Sequence, residues 1–441
     1  MGKLQKSHLD FPYAYCILKS MRKQKRVGIY AWAGSGTLRL LKTKYHTPKI
    51  DEKSFLTAYD NLSLRKQKEL FGVTDAWVTY SWGFSDKTEA EDYKFITSRL
   101  GNFKKNQIRT HAYIQGFNVV TSEFKNIDPW CRDFKGRLLP YSRGRSLTCA
   151  NNPAAVKIIQ DRVTKACRED FDGIFIDNIF FGLPPLILES DYMSFCGCSC
   201  IYCQKKFEKE FGYALPLNEK REKQVSDYIN FRIQSTYHIL KKLQRIVKAA
   251  GKEFGVNLYD PVSYTPEVYF GYSLKNIRGL LSYYLIENLS LPSQIKHNNS
   301  YFSELIQSTS KPVFIVSYNK GIGLDSEYLQ KDIDFIFSEA NVLGYSPCLK
   351  TSEYKTKNTW HYIYSANYQK PKILQINLPK IQIKARPLRK SRFVKRSMGY
   401  VSSFVYTPIS QMIWDSRFVY LFLVKTRVLT NLMKKQRRVS F

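Results

Sequence analysis

Two acids stand where a sheet could present them. Asp177 closes the run FDGIFIDN and Glu287 closes YYLIEN. Each is a carboxyl at the end of a short apolar stretch, where a covered strand hands a polar side chain to one edge of its sheet. Such a pair can divide acid and base duties, one group holding a proton while the other stays ionised. Leu285, Ile286 and Leu289 flank Glu287 and would desolvate it, which raises a carboxyl's proton affinity. Asp260 and Glu339 fall near other strand ends and stand in reserve.

A second concentration of reactive side chains follows the first acid. The stretch CGCSCIYC supplies Cys196, Cys198, Cys200 and Cys203. The N-terminus shows no apolar run of signal-peptide length. That predicts a reducing, cytoplasmic setting, in which clustered thiols read as a metal site rather than a disulfide framework. Four thiolates suit tetrahedral Zn²⁺ in a structural role, because a full thiolate shell leaves no open position for substrate. Cys198, Cys200 and Cys203 form the knuckle, with Cys196 or the upstream Cys149 as fourth ligand.

These residues need elements to hold them. Eight strand-like runs occur at Val27–Ala33, Val73–Trp82, Arg109–Phe117, Gly173–Ile179, Phe254–Tyr259, Leu280–Asn288, Pro312–Tyr318 and Asn341–Tyr345. Most are β-branched and aromatic with few charges, as in strands covered on both faces. Helix-like segments alternate with them at Glu89–Leu100, Pro153–Arg168, Asn218–Ala250, Tyr301–Gln307 and Glu327–Glu339. The second of these opens with Pro153 after Asn152, a good N-cap. Strand–helix alternation repeated eight times predicts an α/β fold, a closed (β/α)8 TIM barrel, with strand-end carboxyls at its mouth. AWAGSGT after the first strand is a poor match to a dinucleotide-binding glycine loop, so an open doubly wound sheet gains little from it. The chain divides into a basic N-terminal segment (1–26), the barrel (27–370) and a basic aromatic C-terminal tail (371–441).

Charge bears on partners. The 441 residues carry 69 Lys and Arg against 37 Asp and Glu, a net charge of +32, which favours an anionic partner. The tail holds 16 of the basic residues and one acid, Asp415. Its segment 384–438 mixes Lys/Arg clusters with aromatic and apolar residues. That pattern suits peripheral attachment to an anionic membrane surface on the inner face, at about 1 kcal/mol per nearby basic residue. A packed C-terminal helix is the competing reading. Nucleic acid is disfavoured, since the charge is not interleaved with any recognisable DNA or RNA motif.

Taken together, CANNP at Cys149–Pro153, DGIFIDN and CxCxxCQKKF resemble the uncharacterised glycoside-hydrolase-like (β/α)8 barrel proteins. The knuckle is similar to that of zinc-bearing beta-galactosidases. The likeness spans roughly residues 27–352. It implies a barrel enzyme cleaving a glycan with two carboxyls. It assigns Asp177, at the end of the fourth strand, as nucleophile and Glu287, on the sixth, as acid/base. It also favours Cys149 as the fourth zinc ligand. The commoner arrangement with Glu on strands 4 and 7 is not met, since Asn319 and Lys320 follow the seventh strand. Residues near the strand ends with suitable sugar-binding chemistry are Trp82, His111, Tyr113, Gln115, Asn178, Asn257, Tyr259 and Tyr318. The long polar loop Asp128–Arg145 adds Trp130 and Arg132, and its arginines could hold an anionic sugar group. The expected partner is an oligo- or polysaccharide. The alternative is a catalytically inactive barrel that binds an anionic glycan or scaffolds at a membrane surface.

Overall fold

Runs of β-branched and aromatic residues pair here as they must when both faces are covered. The computed structural model describes residues 26–31, 33–45, 49–142, 144–179, 181, 197–216, 222–259, 267, 270–288, 306, 308–317, 328–350, 353–356, 359–362 and 368–376. Cys196, Tyr318, Asp260, Leu289, Asn319 and Lys320 lie outside these residues. So do the side chain of Tyr259, nearly all of the N-terminal segment, and the tail from 377 onward, including 384–438.

The chain opens with β1 (Gly28–Ala31), followed by helices α1 (Ser35–Tyr45), α2 (Glu52–Leu56) and α3 (Asn61–Phe71). Next come β2 (Asp75–Ser81), α4 (Asp86–Lys105) and β3 (Arg109–Gln115). Three short strands, β4 (Asn118–Val120), β5 (Pro140–Ser142) and β6 (Arg145–Leu147), then form a separate antiparallel sheet in the order β4-β6-β5. Helix α5 (Pro153–Cys167) returns the chain to β7 (Gly173–Asp177). Helices α6 (Ile201–Phe211) and α7 (Glu222–Ala249) lead to β8 (Glu253–Tyr259). The circuit finishes with α8 (Leu274–Ile277), β9 (Tyr284–Asn288), β10 (Val313–Ser317), α9 (Gln330–Leu343) and β11 (Ser346–Lys350). A hairpin of β12 (Glu353–Thr356) and β13 (Thr359–Tyr362) follows.

Eight parallel strands close on themselves in the order β1-β2-β3-β7-β8-β9-β10-β11, and β11 pairs back onto β1. This is the (β/α)8 barrel expected from the alternation. The first seven expected strands overlap the observed ones, but the eighth does not. Asn341–Tyr345 is not a strand: α9 runs through Leu343, Gly344 stops it at φ +79, and the strand begins at Ser346. Glycine at that left-handed position is the usual helix terminator. Glu339 consequently sits on α9, where Tyr345 Oη donates to its carboxylate at 3.1 Å, and not at a strand end.

Strand tilt puts residues of one height on alternate strands, four to a layer. Around the barrel, positions of equal height climb two residues in register for every two strands. Asp75, Gly173, Tyr283 and Ser346 form the floor. Trp77, Phe175, Leu285 and Cys348 form the middle. Thr79, Asp177, Glu287 and Lys350 form the top. Between the last two lie Tyr30, Tyr113, Asn257 and Val316, and below the middle lie Gly28, His111, Gly255 and Phe314. The middle is a dry aromatic plug: Trp77, Tyr113, Phe175 and Phe314 are fully buried and belong to one hydrophobic cluster with Tyr30, Leu285 and Cys348. Edge-to-face contacts such as Trp77–Phe314 (4.8 Å, 76°) hold it together.

Candidate active site

The top layer gathers its members from β2, β7, β9 and β11, four segments far apart in sequence. Asp177 is the last residue of β7 and is 3% exposed; Glu287 on β9 is equally buried. Three side chains converge on the Asp177 carboxyl. Asn257 Nδ2 donates to Oδ1 at 2.5 Å, Asn178 Nδ2 donates to Oδ2 at 2.6 Å, and the Tyr113 hydroxyl also donates to Oδ2. Tyr141 reaches in from β5 and donates to Asn178 Oδ1 at 2.7 Å. Burial, reinforced by the neighbouring Glu287 charge, pushes Asp177 up to about 7, against the downward pull of the Tyr113 and Asn257 hydrogen bonds. Burial and the Asp177 charge likewise push the Tyr113 phenol well up, so it stays a donor.

The backbone around Asp177 is fixed from β3. Gly116 N–H donates to the Asp177 carbonyl at 2.8 Å and Phe117 N–H to the Asn178 carbonyl at 3.0 Å. A Cβ on Gly116 would meet the Asp177 carbonyl oxygen at 2.2 Å, so only glycine permits this approach. Asn178 adopts φ +52, a left-handed conformation that asparagine tolerates better than most residues. Gln115 lies beside Asp177 in the register and accepts from Tyr113 Oη at 3.3 Å. Buried Glu89 sets the loop after β2 by accepting from Trp82 N–H (2.6 Å), Phe84 N–H (3.2 Å) and Ser81 Oγ (2.6 Å). That placement lays the Trp82 ring 5.3 Å from Tyr113, at the edge of the site.

The structure thus brings Asp177, Glu287, Tyr113, Asn178, Asn257, Gln115 and Trp82 together, and it separates three other candidates from them. His111 lies in the lower barrel, with Nε2 3.0 Å from Asp75 Oδ1 and its ring stacked on Trp77 at 4.9 Å. Trp130 packs with Val119 and Phe124 in the small core of the β4–β6 insertion. Arg132 bonds within the same loop, to Asp128 at 3.0 Å and the Gly136 carbonyl at 2.9 Å. Thr79, Tyr141 and Lys350 escape the sequence reading. Thr79 sits mid-strand, Tyr141 sits in an insertion whose fold is not periodic, and Lys350 lies beyond the misplaced eighth strand.

The thiols assemble beside the mouth. Cys149, Cys198, Cys200 and Cys203 are buried with all four sulfurs within 4.8 Å of one another. Cys149 Sγ lies 3.4 Å from Cys203 Sγ and 3.6 Å from Cys200 Sγ. Metal–sulfur bonds of about 2.3 Å in a tetrahedron place sulfurs at about this separation. The group could hold a metal ion. Asn151 supports it: its N–H donates to Cys149 Sγ at 3.3 Å and its Nδ2 to Cys203 Sγ at 3.4 Å. A fifth buried thiol, Cys131, hydrogen-bonds to Cys149 and Cys198. Ser199 N–H donates to the Arg132 carbonyl at 2.7 Å, tying the knuckle to the insertion. Asp75, His111 and Glu253 also come within ligand distance of each other. Their positive partners are Arg26 and Arg109, so the floor is a network of ion pairs.

No protein-family model and no curated protein matches the sequence. Solved structures align with the fold. One is alpha-L-fucosidase isoenzyme 2 from Paenibacillus thiaminolyticus, with TM-score 0.51 and 14% identity over 75% of this chain and 46% of that one. Another is a beta-galactosidase from the Antarctic haloarchaeon Halorubrum lacusprofundi, with TM-score 0.51 and 11% identity over 71% of this chain and 53% of that one. A third is the PgaB (BpsB) glycoside hydrolase domain from Bordetella bronchiseptica, with TM-score 0.48 and 13% identity over 76% of this chain and 95% of that one. The chain spans about half the length of the first two. At these identities the likeness is one of fold.

Proposed function

We propose that the protein is a glycoside hydrolase that uses Asp177 and Glu287. The observation that carries this reading is the top layer itself: two buried carboxyls side by side at the carboxyl end of a barrel, one held by three hydrogen-bond donors. Two carboxyls so close share a proton near neutrality. The reactive form is the one in which Asp177, held by its three donors, is ionised as nucleophile and the shared proton sits on Glu287 as acid. In the reaction, an Asp177 oxygen attacks the anomeric carbon while the bond to the leaving oxygen breaks. The Glu287 proton passes to that oxygen. Glu287 then takes a proton from water, whose oxygen displaces Asp177 and retains the anomeric configuration. Asn178 and Asn257 orient the nucleophile, Tyr113 holds its charge, and Trp82 offers an aromatic face to the ring.

We assign the four cysteines to structural zinc. When bound, the ion would cross-link the loop after β6 to α6 and take no part in the chemistry. Cys149 supplies the fourth ligand; Cys196 lies outside the described residues.

The test is hydrolysis of a panel of aryl glycosides and polysaccharides by the full chain, with Asp177→Asn and Glu287→Gln as controls. Each substitution should lower kcat about 10³-fold while the protein stays folded. Proton NMR should show the retained anomer first. Turnover that survives both substitutions would move the chemistry elsewhere. Sugar binding without turnover in any of the three proteins would favour an inactive glycan-binding barrel.

A further inference from the structure

We propose that Arg145, Arg162 and Asn118 form a buried site for a small monovalent anion of the chloride class, behind the loop that carries Trp82. The site stands whether or not the barrel cleaves sugars.

The insertion and α5 bring two guanidiniums against that loop. Arg145 opens β6; its Nη2 donates to the Trp82 carbonyl at 2.5 Å and its Nε to Asn118 Oδ1 at 2.9 Å. Arg162, on α5, donates through Nη2 to the Phe84 carbonyl at 2.7 Å. The two carbonyls are two residues apart in one loop, so the guanidiniums are neighbours, and the Arg162 charge acts on Arg145. All three side chains are buried: Arg145 is 7% exposed, Arg162 4% and Asn118 0%.

Charge and hydrogen bonding are both left incomplete there. Every acceptor the two arginines use is neutral, and neither forms an ion pair among the described residues. Glu89 is an acid whose charge reaches both guanidiniums. Its oxygens are already taken by Trp82 N–H, Phe84 N–H, Ser81 Oγ and, at 2.9 Å, the Tyr93 hydroxyl. Two guanidiniums beside one carboxylate leave positive charge in excess, and burial pulls Arg145 down to about 10. Among the described residues, Arg162 Nη1 and Asn118 Nδ2 are buried with no hydrogen-bond partner. Arg145 Nη1 likewise bonds to none of them. The Asn118 amide cannot turn round, because a guanidinium only donates and so requires the amide oxygen.

What remains is a set of donors without acceptors. A water molecule would need acceptors for its own protons and would bring no charge. A small anion satisfies the donors and the charge together. The burial of all three side chains favours a monatomic ion over an acid group on a sugar chain. Seated there, the ion would hold both guanidiniums on the Trp82 and Phe84 carbonyls, and through them the Trp82 ring beside Tyr113.

The experiment is scanning calorimetry of the full chain at fixed ionic strength and neutral pH, with methanesulfonate replaced stepwise by chloride, bromide or sulfate. Chloride and bromide should raise the melting temperature saturably, by about 3 °C or more. Arg145→Gln should abolish the rise. That variant also gives up the bonds to Trp82 and Asn118, so Asn118→Asp is the second one. Its carboxylate keeps an acceptor for Arg145 Nε and supplies the missing charge. Asn118→Asp should melt above the native protein in methanesulfonate and should not respond to chloride. A native melting temperature indifferent to chloride would overturn the site, and so would a chloride response that persists in Asn118→Asp. A rise with sulfate and none with chloride would overturn the assignment to a monatomic ion.

Discussion

Asp177 answers to two opposing demands. Its donors favour the anion, while burial and Glu287 favour the proton, and the carboxyl rests at about 7. The folded value thus lies above the unfolded value of about 3.9. A carboxyl raised in this way supports the fold while protonated. Its contribution is complete below about pH 4 and is lost as the pH rises to about 7, by up to about 1.4 kcal/mol per unit of pKa difference. Asp177→Asn removes that loss. We predict that the variant melts at a higher temperature than the native protein at pH 8, with the gap shrinking as the pH falls toward 4. Equal pH profiles in scanning calorimetry would show that Asp177 is ionised at no cost.

At the scale of elements, the geometry around Asp177 depends on a sheet outside the barrel. The β4–β6 insertion lends Tyr141 to Asn178, and its chain continues through Cys149 into α5. Asn152 caps α5 by accepting from Ala154 N–H at 2.9 Å, and its amide donates to the Asp128 carbonyl. The knuckle at the start of α6 closes the same corner. We predict that the protein carries one zinc per chain and that Cys203→Ser loses it and lowers the melting temperature, measured by elemental analysis and calorimetry under reducing conditions. A variant that keeps stoichiometric zinc would remove Cys203 from the ligand set. The sequence made much of this legible. Asp177 and Glu287 stood out because acids end apolar runs, and the knuckle because its spacing is rigid. What stayed hidden depends on register. Thr79 and Lys350 become neighbours of the carboxyls only through strand tilt, which no local pattern encodes. The eighth strand, SPCLK, opens with a serine and a proline and ends in a lysine, so it reads as a loop. The apolar run before Gly344 looked more like a strand than the end of a helix. His111 misled for a related reason: β3 is buried along nearly its whole length, so its pattern does not say which end of the barrel a given residue faces.

Across the whole molecule the two ends of the barrel respond oppositely to acid. Burial disfavours an ionised Asp75, but hydrogen bonds from Arg26 and His111 outweigh it and hold this carboxyl well below the usual range. Its contribution is therefore present above about pH 4 and is lost as the pH falls below that, whereas the Asp177 contribution grows on acidification. Asp75→Asn leaves the buried Arg26 with Glu253, at 3.3 Å, as its remaining acidic partner among the described residues, and should cost about 3 kcal/mol in urea unfolding at pH 7. A loss below about 1 kcal/mol would mean that the floor is not a structural clamp. The closing seam has a further consequence. β11 seals the barrel by pairing with β1, the last barrel strand with the first. During synthesis, β1 and each newest strand must wait with open edges until β11 emerges, and exposed edges recruit other strands. Nascent chains that stop short of Ser346 should therefore engage holding chaperones and resist neither protease nor aggregation. Release from the chaperone should coincide with the emergence of Lys350, the same residue that completes the top layer.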